Sequence, residues 1–261
     1  GTLGVVTEIT LRLLGLRAQV GVAVAVFDTL RDATDAVYES VRFGVDASAL
    51  ELLDPDTVRA INEQQGLSLR ITPTIFVEFH GSETLVEEQI AFLREICEDH
   101  GCTDFQLATS PEERDRLWSA RANAHESLKL SHPGKTLISG DVCVPISQFG
   151  TMIAHVLEMA ESVGLQIYAF GHAGDGNLHT EIIVQRDDPE EFGRGVLAGE
   201  DIVSFALGLG GTIAGEHGVG YMKKQFMRQE HGATLELMRG IKALFDPNNI
   251  LNPGKILPAE E

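Results

Sequence analysis

Residues 170–179 read Phe-Gly-His-Ala-Gly-Asp-Gly-Asn-Leu-His, a glycine-rich turn bracketed by two histidines. The flanking residues 165–170 and 178–184 run apolar or alternate with polar residues, as β-strands do. The intervening Asp-Gly-Asn contains the residue types that tolerate positive φ. The pattern therefore predicts a β-hairpin.

Such a hairpin would place His172 and His179 at facing ends of two paired strands. Cross-strand neighbours on one face lie about 5 Å apart, close enough for two imidazoles to share a metal ion. These ten residues also leave open a glycine turn with two incidental histidines, or a glycine-rich anion cradle.

The composition is that of a globular protein with a sizeable core. The chain has 261 residues, of which 43% are hydrophobic and 23% charged. Its formal net charge of −19 argues against nucleic acid or an anionic membrane surface as a partner, since both require clustered Lys and Arg. A small anionic substrate would need a few basic residues held locally.

Location is inferred from the apolar runs and the cysteines. Residues 20–27, one of the longest apolar runs, fall far short of the roughly 18–20 residues that cross a bilayer. Three cysteines without Cys-x-x-Cys spacing indicate a reducing compartment. We therefore expect a cytoplasmic protein. The chain opens without methionine on a loop that enters a predicted strand at 5–13, so we expect a segment of a longer protein.

Strand and helix patterns follow the same order in both halves of the chain. The first half has predicted strands at 19–27, 47–53, 74–80 and 104–109, and helices at 29–43, from Asp54-Pro55, and at 83–98. After a helix at 110–130, the second half has strands at 137–144, 165–170, 178–184 and 211–214, and helices at 147–163 and 189–207.

This order predicts an α+β fold of two ferredoxin-like split βαβ units. Their strands would form a largely antiparallel sheet with helices on one face, the other face remaining free. Helices at 219–230 and 234–245 and a turn-rich tail would follow. The expected divisions are 1–15, a ferredoxin-like domain at 16–218, and C-terminal helices and tail at 219–261.

A second glycine-rich run, residues 210–220, encloses Glu216 and His217. Glu216 would complete a set of two histidines and one carboxylate with His172 and His179, which suits Zn, Mn or Fe(II). His217, expected to point to the opposite side of the backbone, would be free to act as a base. The alternative is a helix start with Glu216 at its N-terminus and a solvated His217.

Three motifs, at 171–179, 215–220 and 252–255, resemble the C-terminal part of the FAD-linked 2-hydroxy acid dehydrogenases and oxidases. That family includes cytochrome-type D-lactate dehydrogenase, the glycolate oxidase large subunit and D-2-hydroxyglutarate dehydrogenase. Residues 118–124 and 141–147 are most similar to the D-lactate branch. The resemblance implies that residues 1–15 are the end of a preceding FAD-binding domain.

The resemblance also implies roles for individual residues. His172, His179 and Glu216 would hold a divalent metal, and His217 would take the substrate hydroxyl proton while hydride passes to the flavin. Arg121 would pair with the substrate carboxylate. The edges of the FAD site would be formed by Gly1, Thr2, Leu3, Gly4 and Asn252.

The function expected from this resemblance is that of the substrate and metal domain of an FAD-dependent D-2-hydroxy acid dehydrogenase. D-Lactate is favoured because His125, Ser139 and Glu181 occupy the positions aligned with the distal subsite, where Glu181 would repel a second carboxylate. The expected partners are an N-terminal FAD-binding domain and an electron acceptor such as a quinone, a cytochrome or electron-transfer flavoprotein. The full-length protein could then lie at a membrane, and this segment alone would be inactive.

Two other classes of function remain open at this point. One is a non-catalytic metal-binding or small-molecule sensor module, and the other is a subunit that serves mainly in assembly.

Overall fold

The computed structural model describes residues 1–259 and has an α+β fold. The elements of the first half are β1 (Gln19–Phe27), α1 (Leu30–Arg42), β2 (Ala49–Leu53), α2 (Pro55–Gln65), β3 (Thr74–Gly81), α3 (Glu83–Asp99) and β4 (Cys102–Leu107). Those of the second half are α4 (Pro111–Ala122), α5 (Ala124–Ser131), β5 (Thr136–Cys143), α6 (Phe149–Val163), β6 (Ile167–Gly171), β7 (Asn177–Val184), α7 (Pro189–Gly208), α8 (Met227–His231) and α9 (Thr234–Phe245).

The strands form one antiparallel sheet in the order β4-β1-β3-β2-β6-β7-β5. Strands β1 to β4 have the order of a ferredoxin-like unit. In the second half, β6, β7 and β5 repeat that order, and the isolated bridge of Thr212 to Cys143 stands where a fourth strand would lie. The units join edge to edge through β2 and β6, which confirms the two predicted units.

The core has one layer on each face of the sheet. Helices α1, α3, α6 and α7 contribute to the larger layer, which contains Phe27 and Phe149. Helices α2, α4 and α5 cover part of the other face, where they bury Phe76, Leu128 and Phe170. The helices of the βαβ units thus share one face as predicted. The second face is not free, because α2, α4 and α5 carry apolar residues of their own.

The strand predicted at 211–214 is reduced to the isolated bridge at Thr212, and two longer segments also differ from the sequence prediction. Residues 5–13 have an alternating pattern but form no strand, since among residues 1–259 they pair with no neighbouring strand, and their apolar side chains are exposed. The predicted helix at 219–230 is reduced to turns, a short 3₁₀ segment and α8. Gly218 and Gly220 there adopt left-handed φ values of 76° and 53°, which end regular helix.

A further difference is that the helix predicted at 110–130 breaks at Asn123 into α4 and α5. None of the helices in residues 1–259 combines the length and apolar character that a bilayer-spanning segment requires.

Candidate metal centre

The glycine-rich turn at 170–179 is a hairpin loop, as predicted. Strands β6 and β7 pair antiparallel with Phe170 opposite His179, and a 3₁₀ turn spans Ala173–Asp175. Gly176 closes the loop at φ 72°, and a Cβ at this position would overlap the carbonyl oxygen of Val144. Because L side chains are disfavoured at this φ and no space is free, the loop requires glycine here.

The loop and the second glycine-rich run bring His172, His179 and Glu216 together. Glu216 Oε1 lies 3.1 Å from His179 Nε2 and 3.4 Å from His172 Nε2. One ligand atom from each residue falls within 4.8 Å of the other two. His179 is buried, whereas His172 and Glu216 are partly open to solvent. Two imidazoles and a carboxylate with an open side can hold a divalent cation and leave positions for a substrate.

The two histidines differ in their electrostatic surroundings. Burial lowers the pKa of His179 to about 4, helped by neighbouring His172, so its imidazole is neutral at pH 7 and its nitrogens can accept a metal. The pKa of His172 is raised, chiefly because Nδ1 is hydrogen-bonded to Glu51. His179 Nδ1 is buried without a hydrogen-bond partner among residues 1–259, its distance to Asp141 Oδ1 being 3.8 Å.

His217 lies beside the cluster but outside the set of three. Its ring stacks on that of His179 with centroids 5.1 Å apart, and its Nε2 is 3.7 Å from Glu216 Oε1. The expectation that His217 points away from Glu216 is therefore wrong. The reason is that the glycine-flanked backbone turns here instead of continuing as a strand.

Asp141, on β5 opposite His179, was not predicted as a site residue. Its buried carboxylate accepts hydrogen bonds from Asn177 Nδ2 at 2.7 Å and from the backbone N–H groups of Glu216 and His217 at 3.0 and 2.9 Å. Burial acts to raise the Asp141 pKa, but these bonds and nearby Lys223 outweigh it and the pKa is lowered. Asp141 thereby ties both glycine-rich runs together. Its sequence signals were its place in a predicted strand and at the start of the 141–147 stretch, and neither gave it a role.

Arg121 lies near the cluster but contacts a residue that the sequence did not indicate. Its Nη2 and Nε are 2.6 and 3.2 Å from Glu51 Oε2, and its guanidinium carbon is 5.6 Å from the Phe170 ring centroid. Glu51 Oε1 in turn lies 2.6 Å from His172 Nδ1. Arg121 thus connects to the cluster through Glu51, and its role toward a substrate carboxylate stays a prediction.

Glu181 faces the same side of β7 as His179, two residues further along. The carboxylate is buried and bonds His125 Nδ1 at 2.7 Å and Ser139 Oγ at 2.8 Å. The three residues that were aligned with a distal subsite therefore lie together.

The residues predicted at the edge of an FAD site are partly brought together. Asn252 Nδ2 donates to the Gly1 carbonyl at 2.8 Å, and Lys242 Nζ donates to the Thr2 carbonyl at 2.8 Å. Leu3 and Gly4 continue along the same open surface. Their role toward FAD stays a prediction.

Comparison with known proteins places the chain in a family. A family described as FAD linked oxidases, C-terminal domain, matches residues 16–256. The chain is 39% identical to "Probable D-lactate dehydrogenase, mitochondrial" of Danio rerio, over 98% of this chain and 52% of that protein. Its identity to "Glycolate oxidase subunit GlcD" of Escherichia coli (strain K12) is 31%, over 99% of this chain and 52% of that protein. The chain thus spans about half the length of these relatives.

Solved structures share the fold at low sequence identity. The 4-ethylphenol oxidase from Gulosibacter chungangensis superposes with a TM-score of 0.73 at 13% identity, covering 95% of this chain and 56% of that one. For p-cresol methylhydroxylase the TM-score is 0.68 at 14% identity, with 93% and 53% coverage. From the match over residues 16–256, this chain belongs to the family of C-terminal domains of FAD-linked oxidases.

Proposed function

We propose that this chain forms the substrate- and metal-binding part of an FAD-dependent dehydrogenase that oxidises a D-2-hydroxy acid to the 2-oxo acid. The observation that carries the proposal is the convergence of His172, His179 and Glu216 within 4.8 Å, with His217 beside them. Relatives named D-lactate dehydrogenase and glycolate oxidase support the substrate class.

The donor set fits a divalent metal such as Zn, Mn or Fe(II). The His179 imidazole is neutral at pH 7, and both histidines direct Nε2 towards the Glu216 carboxylate. A metal bound by these residues would act as a Lewis acid that lowers the pKa of the substrate hydroxyl. The partly exposed sides of His172 and Glu216 leave room for that hydroxyl to approach.

His217 is the proposed base. In the proposed reaction the substrate hydroxyl gives its proton to His217. The hydrogen on the α-carbon leaves as a hydride, with its electron pair, towards the flavin, so that a C=O bond forms. FAD supplies the two-electron acceptor. It would be held mainly by an N-terminal FAD-binding domain, with Gly1, Thr2, Leu3, Gly4 and Asn252 at its edge. The later acceptor would be a quinone, a cytochrome or an electron-transfer flavoprotein.

The substrate carboxylate would pair with Arg121. Within residues 1–259 its two bonds to Glu51 use Nε and Nη2 and leave Nη1 as a donor, although only 10% of the side chain is exposed. D-Lactate is favoured over a dicarboxylate because buried Glu181, on the same side of β7 as His179, would repel a second negative charge.

The test is anaerobic reduction of the flavin in the full-length protein by D-lactate, glycolate and D-2-hydroxyglutarate. We expect D-lactate to bleach the flavin absorbance fastest, and we expect the isolated 261-residue chain to be inactive. Reduction by none of the three acids would refute the proposed activity. Fastest reduction by D-2-hydroxyglutarate would refute the role assigned to Glu181.

A further inference from the structure

Glu51 is a buried acid in the middle of strand β2, between Leu50 and Leu52. A carboxylate that is removed from water costs several kcal/mol unless its oxygens are paired. Both oxygens of Glu51 are paired, Oε2 with Arg121 and Oε1 with His172 Nδ1. Glu51 belongs to the first ferredoxin-like unit, whereas His172 belongs to the second.

The hydrogen-bonding groups determine which nitrogen of His172 carries the proton. Arginine is a donor only, and a carboxylate that pairs with it is an acceptor only. His172 must therefore donate from Nδ1 to Glu51. In a neutral imidazole this leaves the lone pair on Nε2, the atom that lies 3.4 Å from Glu216 Oε1.

We propose that Glu51 is a positioning residue for the metal centre: it fixes His172 in the Nδ1–H tautomer, with Nε2 presented to the cation, while Arg121 holds the Glu51 carboxylate in place. This inference rests on the proposed metal site. It means that the centre spans the junction between the two units, because the first unit orients a ligand supplied by the second.

Glu51→Gln tests the tautomer directly. Arg121 accepts no hydrogen bond, so the introduced amide must turn its oxygen to Arg121 and its NH₂ group to His172 Nδ1. Nδ1 then becomes an acceptor and the proton moves to Nε2, where it blocks ligation. We expect the affinity of the full-length protein for Zn²⁺ to fall by about 10–100-fold, measured as metal retained in buffers of graded free Zn²⁺.

Glu181→Gln is the matched control. Glu181 is also a buried carboxylate that bonds the Nδ1 of a histidine, His125, at 2.7 Å, compared with 2.6 Å for Glu51. Because His125 is not one of the three clustered ligands, we expect the Zn²⁺ affinity of this variant to match that of the wild type. An equal loss in both variants would overturn the role of Glu51.

Repeating Glu51→Gln in an Arg121→Met protein distinguishes an effect on the His172 tautomer from an effect on packing. In Arg121→Met the amide introduced by Glu51→Gln can turn its oxygen to His172, so the Nδ1–H tautomer is restored. Glu51→Gln should therefore cost much less Zn²⁺ affinity in Arg121→Met than in the wild type. Equal costs in both backgrounds would contradict the inference.

A measurement on the unaltered sequence keeps the inference testable if a variant fails to fold. The ¹⁵N shifts of His172 are recorded in the metal-free full-length protein at about pH 8.5, above the ordinary histidine pKa of ~6.5. The signals that are missing from the spectrum of His172→Ala are those of His172. We expect Nδ1–H, and an Nε2–H result overturns the inference. If the wild type and Glu51→Gln bind Zn²⁺ equally tightly, the positioning role of Glu51 is refuted while the metal site stands. If the wild type binds no Zn²⁺, the proposed metal site itself is refuted.

Discussion

Two buried carboxylates support the candidate metal centre at the scale of single residues. Asp141 binds the backbone of Glu216 and His217, and Glu51 binds His172. The sequence singled out His172, His179 and Glu216 as one candidate set because glycine-rich motifs surround them, and these three side chains do cluster. It gave no site role to Asp141 or Glu51, because each is one acid in a strand and reaches the cluster only through tertiary contacts.

The substitution His217→Asn should show whether His217 acts as a general base or as a metal ligand. We expect the metal content to be unchanged, since His217 Nε2 lies 3.7 Å from Glu216 Oε1 and outside the set of three. Flavin reduction by D-lactate should slow by about 100-fold or more, the scale of a lost general base. Metal analysis and stopped-flow absorbance measure the two effects.

His231→Asn serves as the control for this substitution, because His231 also lies next to an acid, Glu230, but on α8. It should change neither quantity. Loss of metal in His217→Asn would instead make His217 a ligand.

At the scale of elements, the β6–β7 hairpin depends on Gly176. We expect Gly176→Ala to lower the free energy of unfolding by more than the roughly 1–2 kcal/mol that a left-handed L residue costs, because the new Cβ also meets Val144. Gly164→Ala is the matched control, since Gly164 has φ 63° and a Cβ added there would meet no atom within 4 Å. Urea unfolding compares them, and equal losses would contradict the close packing of this loop.

Element boundaries were predictable where local signals and packing agree. The strand predicted at 19–27 is β1, and the helix predicted at 29–43 is α1, where the Thr29 side chain caps the first turn by accepting from the Asp32 N–H. Prediction failed at residues 5–13 and 219–230. An alternating pattern needs a partner strand to become β-structure, and a helical pattern does not survive glycines held at positive φ.

At the scale of the whole molecule, the two units meet over a short seam. Strands β2 and β6 share the pairs Leu52 with Gly171 and Leu53 with Phe170. Asp54 extends the seam, since its Oδ2 accepts from the Ala169 N–H at 2.6 Å. The sequence predicted both units from the order of elements, but it could not give the edges that join them, because the pairing has no local signature.

The seam should make stability depend on pH. Burial raises the pKa of Asp54 to about 6, above its ordinary value of 3.8, so the native state holds this proton more tightly than the unfolded state. The stability that protonated Asp54 contributes is fully present below its pKa in the unfolded chain, and it is lost as the pH rises through about 6. Between about pH 5 and 7.5 we expect a loss of about 1–2 kcal/mol of unfolding free energy.

Urea unfolding of the wild type and Asp54→Asn at both pH values measures this contribution. The variant should lack it, so the difference in stability between the two proteins should change with pH. A difference that stays constant between the two pH values would show that Asp54 does not titrate in this range.

The central claim is that His172, His179 and Glu216 form a metal site, and metal analysis of the full-length protein tests it most directly. The wild type should contain about one equivalent of Zn, Mn or Fe per chain. The double variant His172→Ala, His179→Ala should contain almost none while retaining its fold by circular dichroism. Equal metal in the two proteins would contradict the site.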